Sequence, residues 1–93
     1  MGDNVVFRVH ALRRMFERGI GVDDVEAVIE RGELIEDYPE DRPYPSQLLL
    51  GWSGPRPLHV VLARNMSENE LIVVTVYEPD PAQWEGGFRR RKT

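Results

Sequence analysis

His10, Arg14 and Arg18 recur at intervals of four residues, so on a helix they share one side and present an imidazole beside two guanidinium groups. His59 and Arg64 fall in one apolar segment further on, and Thr75 and Tyr77 in another. These side-chain types suit phosphate chemistry without a metal. Cleavage of RNA by its own 2′-hydroxyl needs a base for that proton, an acid for the leaving oxygen, and cations to offset charge building on phosphorus. Histidine and tyrosine can shuttle protons, and arginine grips a phosphate through two parallel N–H donors. His10, His59 and Tyr77 are therefore the candidate acid–base groups, and Arg14, Arg18 and Arg64 the candidate substrate-binding groups. Each has a plainer use. His10 can begin the first helix, and Arg14 and Arg18 can form a solvated face. His59, flanked by Leu58 and Val60, reads first as a packed strand histidine. Tyr77 can pack its ring at a sheet end and spend its hydroxyl on one hydrogen bond.

Other chemistries find no support. The chain lacks a phosphate-binding Walker loop, a dinucleotide fingerprint, a paired-histidine helix and a Gly-x-Ser-x-Gly elbow. It has no cysteine, which removes disulfides, thiolate metal sites and a cysteine nucleophile and fits a cytoplasmic setting. Two histidines make no zinc site without carboxylates placed by the fold, so neither a metal nor a cofactor is expected. Ser46, Ser53 and Ser67 all sit at turns, where serine serves local hydrogen bonding.

The elements that must position these residues follow from periodicity. Val5 to Val9 alternates and is a candidate first strand. From His10 the pattern is helical, with Ala11, Leu12, Met15 and Phe16 as the apolar face and Gly19 as the stop. Gly21 can cap a second helix whose first turn carries Asp23 and Asp24, whose apolar stripe is Val22, Val25, Val28 and Ile29, and which Gly32 ends. A linker of about two residues makes the helices a hairpin. Strands are then predicted over 34–38, 47–52, 58–64 and 71–78, with the proline-rich 39–45 as a loop or edge. On the last strand Ile72, Val74 and Val76 share the face expected beneath the helices, and Val73, Thr75 and Tyr77 the other. Asp80 followed by Pro81 predicts one capped helical turn, and Trp84 and Phe88 are anchors for an otherwise polar, loose tail.

The fold class is thus α+β: two N-terminal helices on an antiparallel meander sheet. Ninety-three residues make a single domain, with a core over about 5–84 and a basic C-terminal tail over 85–93. The polar start, Met1 to Asn4, is no secretory signal, and no apolar run is long enough to span a bilayer, so no membrane partner is expected. The net charge of −4 disfavours broad, unspecific nucleic-acid binding. Charge is nevertheless segregated: Arg8 to Arg18 and Arg89 to Lys92 are basic, and Asp23 to Asp41 is mainly acidic. Within it, the acidic stretch Glu33 to Asp41 is either solvated or a clamp for the chain's own basic patch.

The run His10-Ala-Leu-Arg-Arg-Met-Phe-Glu-Arg-Gly-Ile20 resembles the domain-of-unknown-function family 4258 (DUF 4258). So do Asp24-Val-Glu26, Gly32-Glu33, Arg42-Pro-Tyr-Pro45, Leu58-His-Val-Val61, and Thr75 to Pro81 with Trp84. The resemblance implies a compact fold similar to the RelE-like and BrnT-like toxins of type II toxin–antitoxin pairs. It implies metal-independent endoribonuclease action on messenger RNA, and a small antitoxin partner of zinc-finger or helix-turn-helix type. Two readings therefore stand: a toxin-like endoribonuclease acting on RNA, and a non-catalytic binding module that contacts a protein or nucleic acid through its basic helix, its tail or a sheet edge. Either fits a monomer or a homodimer.

Overall fold

The computed structural model describes residues 4–93; the polar Met1–Asp3, read above as no secretory signal, lie outside the described residues. The elements run β1 (Asn4–Phe7), α1 (Val9–Arg18), α2 (Val22–Arg31), β2 (Glu33–Tyr38), β3 (Ser46–Ser53), β4 (Arg56–Asn65) and β5 (Glu70–Tyr77). Both helices pack on one face of a five-stranded sheet ordered β1-β5-β4-β3-β2. The class is α+β. The four later strands form the expected antiparallel meander, but β1 adds to its far edge in parallel with β5, from Asn4 beside Glu70 to Phe7 beside Val73. The sheet is therefore mixed. A parallel neighbour needs a long crossover, and here the whole rest of the fold supplies it.

Local chemistry accounts for the helix ends. Gly19 adopts a left-handed conformation (φ 67°) that closes α1, its N–H reaching the Met15 and Phe16 carbonyls. Arg56 completes that end from a distant strand: its guanidinium donates to the carbonyls of Arg18 (2.9 Å) and Gly19 (3.2 Å) and pairs with Glu78 (3.3 Å). A cation there complements the negative end of the helix dipole. At the start of α2, the Asp24 carboxylate accepts the Gly21 N–H (3.0 Å) and the Ser53 hydroxyl proton (2.8 Å). Those hydrogen bonds, the backbone one foremost, hold Asp24 below the usual carboxylate range.

The core lies between helices and sheet. Ala11 and Met15 of α1, Ile20 between the helices, and Val25 and Val28 of α2 meet Leu49, Leu58, Val60, Leu62, Leu71, Val73 and Val76. The expected seat on β5 was Ile72, Val74 and Val76; the observed one is Leu71, Val73 and Val76. The cause is a β-bulge: Val61 pairs with Thr75 and Leu62 with Val73, so Val74 has no partner and the alternation shifts by one residue. Gly51 lets α2 approach β3 closely, because a Cβ there would lie 2.5 Å from Val28 Cγ2.

The opposite face of the sheet is not bare. After β5 the chain turns at Asp80, whose side chain accepts the Ala82 N–H (2.9 Å) and whose carbonyl accepts from Gln83 and Trp84. The predicted helical turn is a hydrogen-bonded turn, too short to be a helix. The chain then returns across the sheet. Residues 89–92, expected to be loose, are held: Trp84 bridges to Arg91, the Lys92 N–H donates to the Gln83 carbonyl (2.8 Å), and Arg89 pairs with Glu33 (2.8 Å). The acidic stretch thus clamps part of the protein's own basic tail. Among the described residues, no helix is long and apolar enough to cross a membrane.

Candidate functional site

His59 is fully buried on the face away from the helices. Tyr77 and Trp84 pack edge-on against its ring, at centroid distances of 5.2 Å and 4.5 Å. Its Nε2 lies 2.9 Å from the Phe88 carbonyl oxygen, and its Nδ1 lies 3.2 Å from the Tyr77 hydroxyl. A carbonyl can only accept, so Nε2 carries the proton and Nδ1 accepts from Tyr77. Burial pushes the His59 pKa below its ordinary value, against the Phe88 hydrogen bond and with help from the Arg91 charge. Burial likewise raises the Tyr77 phenol. Both groups are spent on holding the C-terminal segment to the sheet.

The other predicted site residues lie elsewhere. His10, Arg14 and Arg18 are exposed on α1, on the helix side of the sheet. Arg64 is half-buried near the end of β4, facing Leu71 across the strand pair, at the far end from Tyr77. His10 and His59 are separated by the sheet, so the two imidazoles share no site. Tyr77 joins His59 and not the arginines. Among the described residues, no three His, Cys, Asp or Glu side chains converge to hold a metal ion.

The exposed surface of α1 differs from the one the sequence suggested. Only Ala11 and Met15 are buried. Leu12 is 43% exposed, Phe16 86% and Val9 69%. Val9, Leu12 and Phe16 follow the i, i+3, i+7 spacing of one helical flank, and Arg13 adjoins them, with Glu17 beyond it. The apolar arc of α1 is wider than the strip that the sheet covers. Periodicity shows that an arc is apolar but not how much of it the neighbours reach.

Two contributors escaped the sequence reading. Arg56 sits in a turn-like Gly-Pro-Arg-Pro stretch, with no local signal that it ties β4 to α1 and Glu78. Tyr44, in the proline-rich loop, accepts a hydrogen bond from Asn65 Nδ2 (3.1 Å) and so is tethered to the end of β4.

Residues 7–78 match a family model described as Domain of unknown function (DUF4258). The chain belongs to this family. The matched span runs from the end of β1 through β5 and includes the buried His59–Tyr77 pair and the exposed surface of α1; the C-terminal segment that covers His59 lies beyond it. No curated protein matches the chain, and no solved structure does.

Proposed function

We propose that this DUF4258 protein is a binding module whose docking surface is α1. The observation that carries this reading is the uncovered arc of Val9, Leu12 and Phe16, with Phe16 86% exposed, on a helix that also bears Arg13, Arg14 and Arg18. Apolar residues at i, i+3 and i+7 bordered by Arg13 suit an amphipathic partner segment that brings apolar anchors and a carboxylate. The resemblance to toxins of type II pairs supports a small antitoxin-type protein as that partner. Burying Phe16 in a partner's groove would contribute about 1.5–3 kcal/mol, and the half-covered Leu12 correspondingly less.

A metal-independent endoribonuclease is the second reading. It draws on the exposed flank of His10, Arg14 and Arg18, where RNA could be gripped, and it would have to work without His59.

One experiment separates the two. A photo-cross-linking side chain is placed at Phe16, or at exposed Glu68 as control, in the chain expressed in a bacterial host. The binding module gives a defined protein adduct from position 16, none from position 68, and a weaker adduct when Leu12→Gln is added. Growth arrest with discrete RNA fragments, abolished by His10→Ala or Arg14→Ala and without an adduct, would instead establish the nuclease.

A further inference from the structure

The loop over residues 39–45 curls onto the face of the sheet opposite the helices. Between it and the start of α1 lies a cleft of about 140 Å³ whose base is Val61, Ala63 and Val74 of the sheet. Arg8, at the entrance to α1, and Arg42, in the loop, both line it, and Tyr44 closes one side. Among the described residues, neither guanidinium forms an ion pair. Both arginines are exposed and the Asp41 carboxylate lines the same cleft, so the cleft carries two cations against one anion and its excess positive charge favours an anionic ligand.

The loop that carries Arg42 and Tyr44 is tied down on all sides. The Asp41 N–H donates to the Tyr38 carbonyl (3.2 Å), and the Pro45 carbonyl accepts from the Arg64 N–H (3.0 Å). The Ser46 hydroxyl donates to Asp41 Oδ2. Behind Tyr44, buried Asn65 has its carboxamide orientation set, because Oδ1 accepts from the Ser67 hydroxyl (3.0 Å) and the Glu68 N–H (3.3 Å). Its Nδ2 therefore points at the Tyr44 oxygen, and the phenol proton is left to be donated elsewhere. The aromatic ring is positioned before any ligand arrives, which lowers the ordering cost of binding.

We propose that this cleft binds a nucleoside monophosphate unit, with the phosphate on Arg8 and Arg42 and the base against Tyr44 and the apolar floor. A phosphate monoester is drawn by the two guanidinium groups, which outweigh the single Asp41 carboxylate, and its oxygens accept paired N–H donors from each. A flat base stacks on an aromatic ring and tolerates an apolar floor of Val61 and Val74. The second Asp41 oxygen remains an acceptor for base amino groups or ribose hydroxyls. The cleft is smaller than the roughly 300–1,000 Å³ typical of drug-sized ligands, which suits one ring system left partly in solvent. Its floor lies on the sheet face away from Leu12 and Phe16, and although Arg8 directly precedes Val9, binding there does not rest on the docking surface of α1.

The test is titration of the full chain with 5′-AMP, adenosine and inorganic phosphate, followed by amide chemical shifts. 5′-AMP is expected to bind saturably and to shift residues 41–46, 61 and 74, with adenosine and phosphate each about tenfold weaker or worse. Arg8→Gln and Arg42→Gln should each weaken 5′-AMP by about tenfold with the remaining spectrum unchanged, while Phe16→Gln leaves binding as it was. A short oligoribonucleotide that shifts the same residues with tighter affinity assigns the unit to an RNA strand; shifts by 5′-AMP alone assign it to a free nucleotide. Equal affinity for phosphate and 5′-AMP, or no saturable binding by either, would overturn the proposal.

Discussion

The buried His59 makes a specific demand on how stability depends on pH. Its folded-state pKa is depressed, chiefly because burial disfavours the imidazolium. The unfolded chain therefore takes up a proton near pH 6.5, the ordinary histidine value, while the folded chain resists. The sign follows: the stability contributed by neutral, hydrogen-bonded His59 is intact above about pH 6.5 and erodes as pH falls below it, until the folded-state pKa is reached. Each pH unit below that value over which the folded form still resists protonation costs about 1.4 kcal/mol. Asp24 does not blur this window, because its depressed pKa withholds stability only as pH falls through the carboxylate range, below its ordinary 3.8. Raised Tyr38 and Tyr77 matter only near and above pH 10. The assay is urea unfolding at pH 7.5 and 5.0, read by tryptophan fluorescence and far-ultraviolet circular dichroism. Each loss of about 1.4 kcal/mol moves the urea midpoint by roughly 1 M for a domain of this size. His59→Gln, which keeps a donor and an acceptor but cannot take up a proton, should be less stable at pH 7.5 and lose the additional acid sensitivity. Equal stability of the wild type at both pH values, or the same acid loss in His59→Gln, would refute the reasoning.

Three further outcomes follow from the packing. Gly51→Ala places a methyl 2.5 Å from Val28 Cγ2 in a core where Val28 is 2% exposed, so it should cost about 1–3 kcal/mol, lowering Tm by about 4–8 °C per kcal/mol in thermal unfolding. Asp24→Ala removes the acceptor for both the Gly21 N–H and the Ser53 hydroxyl; chemical denaturation should show a loss of about 1 kcal/mol, with faster amide exchange in the first turn of α2. Phe16→Gln should change stability by less than about 0.5 kcal/mol, since the side chain is 86% exposed; a loss of 2 kcal/mol or more would mean that Phe16 belongs to the core and not to a docking surface.

Much of the fold was legible in the residues. The helices fall within a residue of the expected spans because Gly19, Gly21 and Gly32 punctuate an apolar period near 3.6. The four later strands were readable from β-branched runs between turns, and the prolines of 39–45 excluded a strand there. The packed character of His59 and the single hydrogen bond of Tyr77 were also among the readings that the residue types allowed. The site was much less legible. His10 and His59 are both acid–base candidates in one dimension, although His59 reads first as a packed strand histidine, and only the placement of the sheet between them shows that they share no site. The width of the apolar arc on α1 was visible, but the part of it left uncovered was not.

By itself the sequence determined the types and order of the elements, because hydrophobic period, caps and breakers act within a turn or a strand. It also determined the charge segregation, and with it the ion pairs that could form. Tertiary structure decided the rest through contacts between residues far apart in the chain. The bulge at Val74 exchanged which residues of β5 face the helices, and a parallel β1 completed the sheet. The return of the C-terminal segment, held by the Phe88 carbonyl on His59 and by Arg89 on Glu33, supplied the partner for a histidine that the sequence marked as packed without showing by what. Those contacts link positions 29 and 56 residues apart. No local pattern encodes which distant partner will satisfy a buried ring nitrogen; that is settled only when the segments pack.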